Sequence, residues 1–266
     1  MAGEARTSEF LISTATLMVG PSSKVMELTP STHGLGLVKN VQVTTDMSMT
    51  ELTQGLQNTV VASVTTNMQT RISAEVYEYS AKNLAYGAGL DASGDSAYAP
   101  ITQQFALNTA ISNGGTSVVL TTGGGSTFNV GDFVVLQDTL VTDRIHVGKV
   151  ASKATDTLTL EAAYAMPTGT TFATATTVVF RVQAVKVGAL NSNPTFGVKL
   201  VGLMPGTGEP VTLIFPKVRI TKGINLAFQS DNWANMPFEF APYNLVSGDP
   251  FFADLGAQKT WMLLRR

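Results

Sequence analysis

Two stretches decide how this chain is read: LVKNVQVTTDMSM, Leu37 to Met49, and TVVASVTTNMQTRI, Thr59 to Ile72. In the first, Leu37, Val41, Val43, Met47 and Met49 share one parity, and Asn40, Gln42, Thr44, Asp46 and Ser48 occupy the other. In the second, Val60, Ala62, Val64, Met68 and Ile72 alternate against Thr59, Ser63, Thr65, Asn67, Gln69 and Arg71. Period-two alternation sustained this long predicts two long strands, each with an apolar and a polar face. The connector, Thr50 to Asn58, carries Gly55 and is short enough for antiparallel pairing. Both strands exceed the usual length of about 5–6 residues. Long strands with a hydroxyl- and amide-rich face and almost no charge aggregate unless their edges are covered. Two readings fit this pattern: a sandwich sheet with one wet side, or a sheet made to pair with copies of itself.

Working outward, Ser73 can cap a helix with Glu75 and Glu78 near its positive end and Gly87 or Gly89 as its stop. Tyr77, Ala81, Leu84, Ala85 and Ala88 would form its packing stripe. A Gly-, Asp- and Ser-rich loop follows, Gly87 to Pro100. From Ile101 to Val187 short apolar runs alternate with turns: Ser117 to Thr121, Phe133 to Gln137, Ile145 to Ala151, Leu158 to Ala162 and Val178 to Val187. Such spacing predicts a small barrel or compact sandwich of its own. Long extended segments return in Phe196 to Met204, Val211 to Lys222, Ile224 to Ser230, Trp233 to Tyr243 and Lys259 to Leu264. Pro216 inside one of them implies an edge, a bulge or a strand break. The expected organisation is an outer domain split into residues 1–100 and 188–266, with a β-module over 101–187 inserted between them.

Composition narrows the function. The 266 residues carry a formal net charge of -2, and only 14% are charged, so no basic balance holds nucleic acid. Hydrophobic residues make up 44%, enough for a core, and about one residue in eight is threonine, which favours pleated surfaces. Cysteine is absent, which removes disulfides, thiol chemistry and cysteine-ligated zinc. His33 and His146 lack a neighbouring acid and nucleophile in sequence. Gly123-Gly124-Gly125 and Gly34-Leu35-Gly36 lack the helix start and lysine of a phosphate loop. Asp91 and Asp95 lack the ligand cadence of a calcium loop. Phe251-Phe252, Trp233 and Trp261 are read as core packing before interface anchors. No catalytic, cofactor-binding or metal-ligating residue is assigned, and the expectation is a structural or interaction protein rather than an enzyme. Neither a secretory signal nor a membrane-spanning helix is expected.

Three stretches resemble the major tail tube proteins of tailed bacteriophages. HGLGLVKNVQVTTDMSMTELTQGLQNTVVASVTTNMQTRISAEVYEYSAKNLAYGAGL, His33 to Leu90, is similar to that family's paired long strands and helix. VTLIFPKVRITKGINLAFQSDNWANMPFEFAPY, Val211 to Tyr243, is similar to its late hairpin and closing strands, and TATLMVG, Thr14 to Gly20, to its first strand. Together these stretches span 98 of the 266 residues, all within the outer domain. It implies a mainly β, tail-tube-like sandwich or barrel with long lumen-lining strands and one helix, the insert lying on the tube exterior. It also implies homohexameric rings stacked into a conduit for genome delivery, in a virion tail assembled in the host cytoplasm. The partners implied are further copies of the chain, tape measure, tail terminator, baseplate or tip and sheath proteins, and duplex DNA that transits without specific binding. No cofactor and no membrane anchor are implied. Six copies of four strands at about 4.8 Å spacing and about 40° tilt close at a radius of about 24 Å, leaving an opening near 36 Å once side chains are subtracted. Asn40, Gln42, Thr44, Asp46, Ser63, Thr65 and Asn67 are then the expected lumen-lining residues. The competing readings are an adhesive or carbohydrate-binding β-protein, and a capsid-decorating protein or the tube of a related injection device.

Overall fold

The computed structural model describes residues 15–54, 59–94, 98–99, 101–188, 194–205, 207–226, 233–257 and 259–265. It is mainly β, 48% strand against 12% helix, so strand pairing rather than helix packing organises the molecule. The chain starts with β1 (Thr16–Pro21), a 3-10 segment over Ser22–Glu27 and α1 (Pro30–His33), then β2 (Val38–Gln54), β3 (Thr59–Val76) and α2 (Ala81–Gly87). Short strands follow: β4 (Gln104–Ala106), β5 (Ile111–Ser112), β6 (Ser117–Val119), β7 (Phe133–Asp138), β8 (Ile145–Ala154), β9 (Thr157–Leu160), β10 (Thr171–Phe172) and β11 (Thr177–Val182). Last come β12 (Phe196–Leu203), β13 (Pro210–Lys222), β14 (Met236–Pro242), α3 (Phe252–Leu255) and β15 (Met262–Leu264). The chain divides into two compact units, Met1–Ala99 with Lys186–Arg266, and Pro100–Val185.

In the first unit one antiparallel sheet runs in the order β1-β12-β13-β14-β3-β2, with β15 also on β13. After Thr16 the strand β1 is apolar, and it is buried from Leu17 to Gly20, as a strand inside a core is. On one side Met18, Val25, Leu28 and Ile214 form a cluster that Val201, Phe251 and Met262 extend. Elsewhere in the unit Tyr86 of α2 meets Phe196 edge-on at 5.2 Å between ring centres. Pro216 lies within β13, where the register against β12 shifts between Phe196 and Val198, so the proline occupies a bulge.

The helix differs from its sequence reading. Ser73 and Glu75 belong to β3, and the helix begins only at Ala81, with Ser80 accepting the Asn83 amide N–H at 3.1 Å as its cap. The segment Ile72–Val76 is paired on both edges, to β2 and to β14, and two ladders of backbone hydrogen bonds outweigh a local capping signal. Trp233 also departs from expectation. It is 87% exposed rather than packed in a core, whereas Trp261 does stack on Phe215 at 5.6 Å. Of the expected strand Ile224 to Ser230, the described residues 224–226 are irregular and the rest lie outside the described residues.

In the second unit six strands follow the order β4-β11-β7-β8-β9-β6, beside a two-stranded β10-β5 pair. Leu107, after β4, bridges Leu120, after β6, so the six-strand path meets its own beginning. Such closure removes free edges around a core of Leu107, Val118, Phe128, Val134, Leu136, Val150, Leu158, Phe172 and Val179.

Candidate assembly surface

Among the described residues β2 pairs only with β3, and β14 reaches only the Ile72–Val76 end of β3. Among the described residues, Thr59–Arg71 of β3 and the facing Thr44–Gln54 of β2 therefore form a two-stranded ribbon with both outer edges unpaired. A cleft of about 610 Å³ separates Thr66, Asn67 and Met68 from Asn244, Lys259, Thr260 and Trp261, marking where the ribbon leaves the sheet.

Register assigns the faces, because residues directly opposite in an antiparallel pair project to the same side. Gln42, Thr44, Asp46 and Ser48 face Ser73, Arg71, Gln69 and Asn67 on one side, which we term the amide face. Val43, Thr45 and Met47 face Ile72, Thr70 and Met68 on the other, the methionine face. Two bulges in β3 then break the alternation. One extra residue lies between Asn67 and Thr65, where the Thr66 hydroxyl donates to the Ser48 carbonyl at 3.2 Å, and another lies between Ala62 and Val60. As a result Thr65 faces Met49 and Ser63 faces Glu51, and the Ser63 hydroxyl lies 3.6 Å from the Met49 sulfur. The sequence-derived set is thus split. Gln42, Thr44, Asp46 and Asn67 share the amide face, whereas Ser63 and Thr65 lie on the methionine face. Asn40 takes φ 51° in a third bulge, between Lys39 and Gln42. Hydrogen bonds from the side chains of Asn40 and then Tyr77 hold the Glu75 carboxyl below its usual range. The bulges carry no composition signal, since Thr66 and Val61 are ordinary strand residues.

The same parity changes mix polarity toward the tip. Val64 and Ala62 arrive on the amide face opposite Thr50 and Leu52. Met47, Met49, Leu52, Val61, Val64 and Met68 are each more than half exposed, with Val60 close behind. An isolated two-stranded ribbon is marginal in water even without such exposure. Nearer the sheet the amide face is neutral in sum, with Lys39 and Glu75 directly opposite and Asp46 and Arg71 two residues apart in register. The Arg71 guanidinium donates to Gln69 at 3.3 Å, and Lys39 lies over the Tyr77 ring at 5.0 Å.

Among the described residues, no group of three or more His, Asp or Glu side chains is placed to hold a metal ion. The His33 ring accepts the Thr29 amide N–H in the first unit, and the His146 ring meets the Tyr164 carbonyl at 2.9 Å in the second. Asp91 accepts from the Ser93 amide and hydroxyl, as a turn former does. No described helix is long and apolar enough to cross a membrane. No protein-family model matches the chain, and no curated protein matches it.

Proposed function

We propose that this chain is the repeating subunit of a phage-type tail tube, a structural rather than catalytic protein whose copies join into hexameric rings that stack around a DNA conduit. The observation that carries this reading is the free ribbon: among the described residues both its outer edges are unpaired, and seven of its apolar side chains are about half exposed or more. On the methionine face, burying Met47, Met49, Val60 and Met68 yields about 1 kcal/mol each, about 4 kcal/mol in all. Association costs about 4–15 kcal/mol, so a lone contact is at best near balance and a closed ring, in which every copy both gives and receives, is favoured. The resemblance to tail tube proteins in His33–Leu90 and Val211–Tyr243 falls on β2, β3, β13 and β14 of this sheet.

The lumen in this reading is lined by the amide face, with Gln42, Thr44, Asp46 and Asn67 toward the DNA. Amides, hydroxyls and balanced charge offer duplex DNA no run of phosphate contacts, so it slides rather than binds. Ser63 and Thr65 belong instead to the subunit contact. The second unit, whose own sheet is closed, projects from the tube exterior. Negative-stain microscopy and sedimentation of the purified protein at high concentration test the reading. Hollow rings or tubes with an opening near 36 Å are expected. A protein that remains monomeric, and whose second unit binds glycans, overturns it in favour of an adhesive role.

A further inference from the structure

The bulge in β13 turns two neighbouring side chains toward one spot. In a regular strand adjacent residues point to opposite faces. Here Phe196 is opposite Val218 and Val198 is opposite Phe215, so Pro216 and Lys217 together oppose the single residue Gly197. Both line a cavity of about 20 Å³. Ser22 at the start of the 3-10 segment, Thr195 just before β12, and Leu245 and Asp249 in the stretch after β14 join them. The volume holds one water molecule, for which about 10–15 Å³ is enough. It lies far below the roughly 300 Å³ at which pockets for organic ligands begin.

The polar groups around the cavity have bonds to spare. The Asp249 carboxylate accepts the Lys217 ammonium at 2.7 Å and the Val246 amide N–H at 2.8 Å, both on Oδ2. Neither bond engages Oδ1 or the other two N–H groups of the ammonium, and the Ser22 and Thr195 hydroxyls can each donate or accept. The side chains of Lys217 and Asp249 are 25% and 21% exposed, so bulk solvent reaches them poorly. Their charges sum to zero, which favours a neutral occupant over an ion. We infer that one water molecule is bound here as part of the fold. It donates to Asp249 Oδ1, accepts from the Lys217 ammonium, and shares its remaining proton and lone pair with the Ser22 and Thr195 hydroxyls. Those bonds are within the two to four that a buried water makes. Segments far apart in the chain, at residues 22, 195, 217 and 249, are then tied by a single molecule. The site lies within the first unit and needs no second copy of the chain.

A crystal structure of the full chain at a resolution that shows ordered solvent tests this directly. One solvent peak is expected within about 2.7–3.2 Å of at least three of Lys217 Nζ, Asp249 Oδ1 and the two hydroxyls. Fewer partners, a dry cavity, side chains closed over it, or an ion in place of water overturns the inference. Stability supplies an independent measurement. Trp233 and Trp261 both lie in the first unit, so their fluorescence follows its unfolding in denaturant. Ser22→Ala and Thr195→Val each remove one hydroxyl, and each should lower the folding equilibrium constant about five-fold, the worth of one hydrogen bond. Because one water joins the two hydroxyls, the loss in the double variant should fall short of the product of the single losses by about two-fold or more. Single variants that match wild type, or a double variant that shows the full product, overturn the bridge.

Discussion

Gly223 and Gly87 show how closely single residues set this fold. A Cβ on Gly223 would stand against the Gly87 backbone of α2, which no side-chain rearrangement relieves. Gly223→Ala should cost about 2 kcal/mol by overpacking, seen as a melting temperature roughly 5 °C lower. Asp249 supplies a pH effect. It accepts from the Lys217 ammonium at 2.7 Å and the Val246 amide at 2.8 Å, and these bonds, the lysine's first, hold its carboxyl below its usual range. A carboxyl depressed by folding adds stability above its unfolded pKa of about 3.9 and loses it as pH falls through the lower folded value. Asp249→Asn should therefore lower stability at pH 7, with the difference from wild type shrinking below about pH 4; thermal melts across that range check it. Neither residue was readable from sequence, because Gly87 lies 136 positions from Gly223 and Asp249 lies 32 from Lys217.

At the scale of elements, the strands β2 and β3 were legible because alternation needs only local sequence, and Leu37–Met49 kept its two parities from Val41 to Met49. In β3 the parity holds only from Asn67 onward. The bulges at Thr66 and Val61 are set by fit against β2, so Ser63 and Thr65 changed sides without any change in the pattern of residue types. The helix was misplaced for a related reason: Ser73 and Glu75 look like a cap, but pairing on two edges claims them. An element-scale test follows from exposure. Replacing Met47, Met49 and Met68 together by Ser removes apolar surface that touches little within one chain. The triple variant should melt within about 2 °C of wild type, as surface substitutions do, and lose assembly in sedimentation.

At the scale of the whole molecule, the second unit has its own closed strand path and its own core. Residues 101–185 expressed alone should fold and melt in one cooperative transition, monitored by circular dichroism; a molten product would show that the core depends on the rest of the chain. The amide face carries the other molecular-scale prediction. In the proposed tube, Thr44→Lys with Asp46→Lys adds about three units of positive charge per copy, eighteen around a hexameric ring, and should slow DNA passage by adding phosphate contacts while tubes still form. Infectivity of particles carrying the pair checks it, and a normal yield would remove these residues from the lumen.

By itself the sequence determined that this protein is built from antiparallel strands, with long two-faced ones and a stretch of short ones between them, because side-chain alternation and turn residues act over a few positions. Only the tertiary structure decided where the alternation breaks and which edges are left bare. Those depend on register, and register is settled by residues distant in the chain competing for the same backbone hydrogen bonds.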